Sequence, residues 1–335
     1  MYLTSNILLD VCFFILFRIV LFFLNIHLLE GYTSLLIIGR NSGKEFEMGY
    51  DYSNLVRDAQ NLIKAHKCME LFSIGESVME KKLLCIKAGS GKRKLFINGA
   101  HHGLEYLTAA FIMKFLAEYA ECMENNGEMF GYSPLELSKK TSLYAVPMVN
   151  PDGVDIATNG IDITNPHHRK LISLVGIHSF NKVWQANVRG VDINHNYNAG
   201  WRVVEARPSP SRYSGPYSES EPETKAIVEF VRSMDFDMLM AFHSQGGEIY
   251  YDYDGKAEAR SRKLASEFAS VSGYVAASPE GSAAFGGCKD WFIDEFGKAG
   301  FTIEIGHGKN PLPLDMLDII YEENARLLLC AIERT

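Results

Sequence analysis

Short apolar runs alternate with segments of helical periodicity along most of this chain of 335 residues. The strand-like runs are KLLCIK at 82–87, KLFIN at 94–98, LYAVPMV at 143–149, MLMAF at 238–242 and GFTIEI at 300–305. Apolar residues recur at helical spacing in the segments 51–66, 104–119, 221–234, 257–271 and 314–332. This alternation predicts an α/β fold, in which a mixed, mostly parallel twisted sheet is flanked by helices on both faces. A short glycine-containing segment separates the first two strands, and we expect them to pair with each other.

The overall composition is typical of a globular protein that does not bind nucleic acid. Apolar residues make up 47% of the chain and charged residues 22%, and the formal net charge is −8. No run rich in lysine and arginine interrupts this acidic balance, so a nucleic-acid partner is not expected. The six cysteines are scattered without a CxxC pair. This spacing argues against a four-cysteine zinc site and against a dense disulfide framework.

A long apolar stretch lies near the amino terminus. Residues 7–29 read ILLDVCFFILFRIVLFFLNIHLL, which is long enough to span a bilayer. Asp10 and Arg18 interrupt the stretch, and each costs a few kcal/mol at the membrane centre. It is therefore interpreted as a poor membrane anchor, an interfacial segment, or extra residues upstream of the true start. The chain divides accordingly into residues 1–47 and 48–335. A membrane-anchored or exported protein is expected if the stretch belongs to it, and a cytoplasmic one otherwise.

Four ionisable side chains lie where such a fold places its chemistry. His102 and Glu105 follow the strand KLFIN with the spacing HxxE, which lets both side chains converge as the chain turns from strand into helix. His243 follows the buried strand MLMAF, at the edge where α/β sheets hold ligands. Glu304 lies inside the apolar strand GFTIEI, where a carboxylate is costly to bury unless its charge is used. The plainer alternatives are a surface histidine at a helix start, a core histidine and a salt-bridged glutamate.

Taken together, these residue types fit a known zinc chemistry. Two histidines and one glutamate can bind zinc and leave a fourth position open to water. A separate carboxylate then takes a proton from that water and passes it to the leaving amine. We therefore predict one zinc ion per chain, with His102, Glu105 and His243 as ligands and Glu304 as the general base. His101 is an alternative ligand, but the HxxE spacing favours His102. The set predicts a metallopeptidase that hydrolyses an amide bond.

Several ordered motifs in residues 52–334 resemble the zinc carboxypeptidase family of the carboxypeptidase A type. They are NGAHHGLEYLT at 98–108, NPDG at 150–153, RGVDINHNYNAGW at 189–201, SEPET at 220–224, FHSQGG at 242–247 and TIEIG at 302–306. Within the family, the chain is most similar to bacterial members that cut γ-D-glutamyl-diaminopimelate bonds in cell-wall peptides. WQANVRGVDIN at 184–194 and GGCKDWFIDEFGKAGFTIE at 286–304 carry that closer likeness. The resemblance implies a catalytic domain at 48–335 and a peptide or muropeptide substrate.

The departures from the family pattern concern substrate binding. The family usually has Asn-Arg where this chain has Asn194 and His195, and that arginine binds the terminal carboxylate of the substrate. A histidine offers no bidentate fork and holds a carboxylate less firmly. Digestive members have an arginine that steadies the oxyanion at the position of Gln185, and Arg189 is a candidate to help there. We assign all four residues to substrate binding, and we expect either an unusual C-terminus or little need for one.

Other functions share parts of this pattern. An ordinary metallocarboxypeptidase would remove C-terminal residues with the same zinc site. A zinc deacylase of the aspartoacylase kind also has the HxxE…H ligand set. A non-catalytic binding module would normally have lost a ligand or the base, whereas this chain retains all four groups. Zinc content and activity on a cell-wall peptide distinguish these alternatives from the predicted wall peptidase.

Overall fold

The computed structural model describes residues 49–176, 179–278 and 285–335. Its strands are β1 (Met69–Glu76), β2 (Lys82–Ala88), β3 (Arg93–Gly99), β4 (Thr141–Val146), β5 (Met238–His243), β6 (Glu248–Tyr250), β7 (Val275–Ala277) and β8 (Ala299–Glu304). They form one sheet in the order β1-β2-β4-β3-β5-β8-β6-β7. The pairs β4–β3, β3–β5, β5–β8 and β6–β7 are parallel, and the remaining pairs are antiparallel. The predicted mixed, mostly parallel sheet is confirmed.

Helices cover both faces of this sheet. The α-helices are α1 (Tyr52–Ala65), α2 (Tyr106–Asn125), α3 (Pro134–Lys140), α4 (Pro151–Asn159), α5 (Pro166–Val175), α6 (Phe180–Val183), α7 (Pro222–Met234), α8 (Ser261–Ser272), α9 (Cys288–Phe296) and α10 (Leu317–Arg334). Short 3₁₀ turns occur at Gly103–Glu105, Ile193–His195 and Leu314–Met316. Alternate residues of β3 enter two separate cores: Leu95 and Ile97 pack with α2 and α10, and Phe96 packs with α7 and α9.

The expected pairing of the first two predicted strands is wrong. β4 lies between β2 and β3, so that Ala145 is the register partner of both Ile86 and Ile97. The glycine-containing segment between β2 and β3 forms no hairpin but lies against the start of β4. A Cβ at Gly91 would lie 2.0 Å from the carbonyl carbon of Lys140, so only glycine fits there. The segment therefore connects β2 and β3 past the start of β4, which lies between them in the sheet.

His167 and His168 lie in a helix that begins at a proline. Both residues lie in the first turn of α5, for which Asn165 is the N-cap and Pro166 the first residue. The imidazole of His168 is buried, and its Nδ1 accepts a hydrogen bond of 3.0 Å from the amide of Asp162. Asparagine before proline is a common way to start a helix, and Asn165 and Pro166 start this one.

The predicted amino-terminal segment 1–47, with the apolar stretch 7–29, lies outside the described residues. Within the part of the chain that the structure does describe, no helix is long and apolar enough to cross a membrane. The expectations for a membrane anchor and for localisation therefore stay predictions.

A buried acidic pair links the NPDG and SEPET motifs. Asp152, in the first turn of α4, and Glu223, in the first turn of α7, have no exposed surface. The Nζ of Lys81 lies 3.3 Å from Oδ1 of Asp152. Glu223 accepts hydrogen bonds from the amide of Val78 at 3.2 Å and from Nδ2 of Asn187 at 3.3 Å. Burial, and after it the charge of Asp152, raises the pKa of Glu223 to about 8.

We expect Glu223→Gln to alter the pH dependence of stability. The folded protein keeps a proton on Glu223 that the unfolded chain, with a glutamate pKa of about 4.3, has released. The free energy of unfolding of the wild type therefore falls as the pH rises from the unfolded value to about 8. Glutamine does not titrate, so it removes this loss. The melting temperature of the variant minus that of the wild type should therefore increase between about pH 5 and about pH 8.5. Glu229→Gln, at an exposed position of α7, is the matched control. Parallel pH profiles for Glu223→Gln and wild type would contradict the expectation.

Candidate active site

Three central strands end at one edge of the sheet, and each contributes to one site. His102 and Glu105 follow β3, His243 is the last residue of β5, and Glu304 is the last residue of β8. β5 lies between β3 and β8 and runs parallel to both, with His243 as the register partner of Glu304. The structure thus brings together the four residues that the sequence predicts as ligands and base.

The side chains of His102, Glu105 and His243 face one another. Nδ1 of His102 lies 2.8 Å from Oε1 of Glu105, and Nδ1 of His243 lies 2.9 Å from Oε2. The atoms able to bind a metal all lie within 4.8 Å of one another, the one such group found among the described residues. A tetrahedral zinc ion with bonds of about 2.0–2.1 Å holds its ligands about 3.3 Å apart. Two imidazoles and one carboxylate at this spacing fit a zinc ion with one open position.

A second carboxylate, Asp192, sets the direction of His102. Its Oδ1 lies 3.2 Å from Nε2 of His102, and its Oδ2 accepts a hydrogen bond of 2.9 Å from the amide of Arg212. A carboxylate behind a histidine keeps the proton on the outer nitrogen and turns the lone pair of the inner one toward the metal. Sequence reasoning did not identify Asp192. The motif RGVDIN contains it, but an irregular segment does not show which polar side chain points to the site.

Charges of opposite sign stabilise one another in this cluster. Burial opposes the charged form of His102, but Glu105 and Asp192 on either side outweigh it and raise its pKa well above the ordinary value. Burial likewise opposes the charged form of Glu105, but His102 and His243 together have the larger effect and lower its pKa. A metal that binds Nδ1 of His102 must displace the proton that this nitrogen shares with Glu105. Metal binding at this site is therefore coupled to proton release.

His101, the alternative ligand, is not part of the converging group. Its side chain is fully buried, and Nε2 lies 2.9 Å from the hydroxyl of Tyr197. Its ring stacks on that of His243, with the centroids 5.3 Å apart. The ligand atoms that converge are those of His102 and Glu105, as the HxxE spacing favours.

The NPDG motif holds the turn that carries His102 and Glu105. Asn150, the N-cap of α4, donates from Nδ2 to the carbonyls of His101 at 2.9 Å and Gln185 at 3.3 Å. The amide of Gly103 donates to the same carbonyl of Gln185 at 3.0 Å. A Cβ at Gly103 would lie 2.4 Å from the carbonyl oxygen of Gly153, so the close approach of the two segments requires glycine. The NPDG motif thus begins a helix and positions the two candidate ligands.

Glu304 lies beside the ligand cluster and is not part of it. Its side chain is half-buried, and its neighbours across the sheet are His243 on β5 and Glu248 on β6. Burial, and then the negative charge of Glu105, raises the pKa of Glu304 well above its ordinary value. A carboxylate with a raised pKa binds a proton more readily, as a general base must.

The four residues predicted to bind substrate have different surroundings. Oδ1 of Asn194 accepts a hydrogen bond of 3.1 Å from the amide of Cys288 at the start of α9. Nη1 of the exposed Arg189 lies 3.4 Å from Oε2 of Glu221. Within the described ranges, Nδ1 of His195 and Oε1 of Gln185 are buried without a hydrogen-bond partner. The last two residues therefore have a polar atom to offer a ligand, whereas Asn194 and Arg189 already have protein partners. Substrate binding by these residues stays a prediction.

Residues 56–327 match the model of the zinc carboxypeptidase family, and the chain belongs to that family. A relative from Lysinibacillus sphaericus, γ-D-glutamyl-L-diamino acid endopeptidase 1, is 34% identical over 290 residues, which cover 85% of this chain and 73% of the relative. Carboxypeptidase B from Bos taurus is 28% identical over 236 residues, which cover 65% of this chain and 52% of that protein.

The fold is shared with solved carboxypeptidase structures. The crystal structure of thrombin activatable fibrinolysis inhibitor matches 90% of this chain and 78% of its own, with a TM-score of 0.71 and 21% identity. At that identity the likeness concerns the fold alone. The predicted family and fold class are confirmed, and the protein is a hydrolase of the metallopeptidase class.

Proposed function

We propose that this protein binds one zinc ion and cleaves the amide bond between γ-D-glutamate and a diamino acid, such as diaminopimelate, in bacterial cell-wall peptides. The observation that carries the proposal is the convergence of His102, Glu105 and His243, with Glu304 beside them, in a member of the zinc carboxypeptidase family. The choice of bond is supported by the relative from Lysinibacillus sphaericus, whose name specifies a γ-D-glutamyl-L-diamino acid endopeptidase.

Each side chain of the site has one task in the proposed reaction. The ring nitrogens of His102 and His243 and the carboxylate of Glu105 hold the metal, and Asp192 fixes the ring of His102. When bound, zinc polarises the scissile carbonyl and makes a water molecule more acidic. Glu304 accepts the proton of the attacking water and then delivers it to the leaving amine.

We infer that His195 binds the terminal carboxylate of the substrate less firmly than an arginine would. His195 is half-buried, its ring centroid is 6.0 Å from that of Phe285, and an imidazole has no bidentate fork. Two nearby arginines are engaged: the guanidinium carbon of Arg202 lies 3.4 Å from the ring centroid of Phe285, and Arg189 contacts Glu221. Diaminopimelate carries a second amine and a second carboxylate, so a wall peptide that contains it has other groups by which it can be bound.

Digestion of a defined set of muropeptides tests the proposed function. The zinc-loaded protein is incubated with wall peptides that contain the γ-D-Glu–diamino acid bond and with plain peptides that end in a free L-residue. Mass spectrometry should locate the cut at the γ-D-glutamyl bond, and the wall peptides should have the higher kcat/KM. Glu304→Gln, assayed in parallel, controls for a contaminating peptidase. Faster cleavage of the plain peptides would replace the proposal with an ordinary carboxypeptidase activity.

We expect His195→Arg to shift specificity toward plain C-terminal peptides. A bidentate charged contact contributes about 1.5–3 kcal/mol more than no contact, which corresponds to about 10–100-fold in kcat/KM. The ratio of kcat/KM for plain over wall peptides should therefore rise at least about tenfold. His167→Arg, the same change at an exposed position of α5, is the matched control and should leave the ratio unchanged. An equal ratio in His195→Arg and wild type would show that another group holds the carboxylate.

A further inference from the structure

The segment that follows β8 turns back toward the ligands. Its first residue, Ile305, donates from the backbone amide to the carbonyl of His243 at 2.8 Å. The next amide, that of Gly306, donates to the hydroxyl of Tyr274 at 2.8 Å. The first bond anchors the segment to the end of β5 and the second anchors it to the residue before β7. Further along the segment, the half-buried side chain of Asn310 reaches Glu105.

The Asn310 amide makes three hydrogen bonds there. Its Nδ2 donates to Oε1 of Glu105 at 3.4 Å and to the carbonyl of Ser244 at 2.5 Å. Its Oδ1 accepts a bond of 2.8 Å from the hydroxyl of Ser244. Ser244 directly follows His243, and Asn310 lies six residues after Glu304. One side chain thus connects the segments that carry two ligands with the segment that carries the base.

We propose that Asn310 is a positioning residue of the metal centre, which holds the carboxylate of Glu105 and the end of β5 in the arrangement that binds the metal. The inference rests on the proposed function, because it concerns the same site. It assigns Asn310 a role in metal affinity and ligand geometry and gives it no contact with the substrate.

The hydrogen bonds of Glu105 show why this amide matters. In the described part of the chain, the donors to its carboxylate are the rings of His102 and His243 and the amide of Asn310. A ring nitrogen that coordinates a metal has no proton to share with Glu105. The two histidine bonds are therefore lost on metal binding, and the Asn310 amide is the donor that remains to orient the carboxylate. Outer partners of this kind typically contribute about 10–100-fold to metal affinity.

Zinc affinity, measured by competition with a chromophoric chelator, tests the role. Asn310→Ala removes the amide, and Asn310→Asp keeps its shape but has no N–H to donate and places a second carboxylate against Glu105. Both variants should bind zinc about 10–100-fold more weakly than the wild type. The visible absorption spectrum of the cobalt-loaded proteins is the second readout. A change in ligand geometry alters it, whereas a purely structural role elsewhere would not.

Asn159→Ala is the matched control. Nδ2 of Asn159 donates to Oδ2 of Asp51 at 3.1 Å, so the control removes the same kind of bond at the far end of α4. Its zinc affinity should equal that of the wild type. Wild-type affinity and an unchanged cobalt spectrum in Asn310→Asp would overturn the inference, and this variant decides the question if Asn310→Ala does not fold. A wild-type protein that binds no zinc would instead overturn the proposed function.

Discussion

Glu304→Gln should retain its zinc and lose about 10²–10⁴-fold in kcat, the usual cost of removing a general base. Glutamine has nearly the same shape as glutamate, but its amide cannot take a proton from water. The atoms that could hold the metal belong to His102, Glu105 and His243, so the metal should stay in place. Steady-state kinetics with a wall peptide and elemental analysis of the same samples measure the two effects.

Glu248→Gln is the matched control for this experiment. Glu248 is the antiparallel register partner of Glu304 on β6, and its carboxylate accepts a hydrogen bond from Tyr250. The control removes a neighbouring carboxylate from the same edge of the sheet, and we expect a far smaller change in kcat. Near-normal turnover in Glu304→Gln, or an equal loss in both variants, would show that Glu304 is not the base.

His243→Ala should lose both the metal and the activity. His243 is one of two imidazoles in the cluster, and a catalytic zinc site of this kind uses three protein ligands. After dialysis the variant should hold less than about half an equivalent of zinc, and its activity should be below detection. Elemental analysis and the wall-peptide assay check these results.

His101→Phe provides the contrast for the second ligand prediction. His101 is buried against Tyr197 and stacks on His243, but none of its atoms belongs to the converging ligand set. Phenylalanine keeps an aromatic ring in the same space, so the variant should still bind one equivalent of zinc. Loss of zinc in His101→Phe together with normal zinc in His243→Ala would reverse the ligand assignment.

The central part of the sheet was predictable from the sequence, whereas its edges were not. β3, β5 and β8 are covered on both faces, so they read as continuous apolar runs. β1 alternates irregularly between buried and exposed residues and includes charged side chains. β6 and β7 have three residues each, too few to show any periodicity. Sequence reasoning identified none of these three strands, because partners elsewhere in the sheet determine them.

The same physical distinction separates the predicted from the unpredicted residues of the site. His102 and Glu105 follow the end of β3 and His243 is the last residue of β5, where topology alone predicts a ligand edge. Asp192 and Asn310 lie in irregular segments that have no period to interpret. Asp192 contacts a residue 90 positions away and Asn310 one 205 positions away, so only the tertiary structure reveals their roles.

The parallel arrangement of β3, β5 and β8 also governs when an active enzyme can arise during synthesis. Glu105 leaves the ribosome early, His243 follows 138 residues later, and Asn310 a further 67. Parallel neighbours cannot be joined by a tight hairpin, so each pairing waits for a long crossover to be translated. A nascent chain therefore has the proposed ligands long before the proposed base, Glu304, lies beside them. The hydrolase should be unable to cut any peptide, including its own growing chain, until almost the whole fold has emerged.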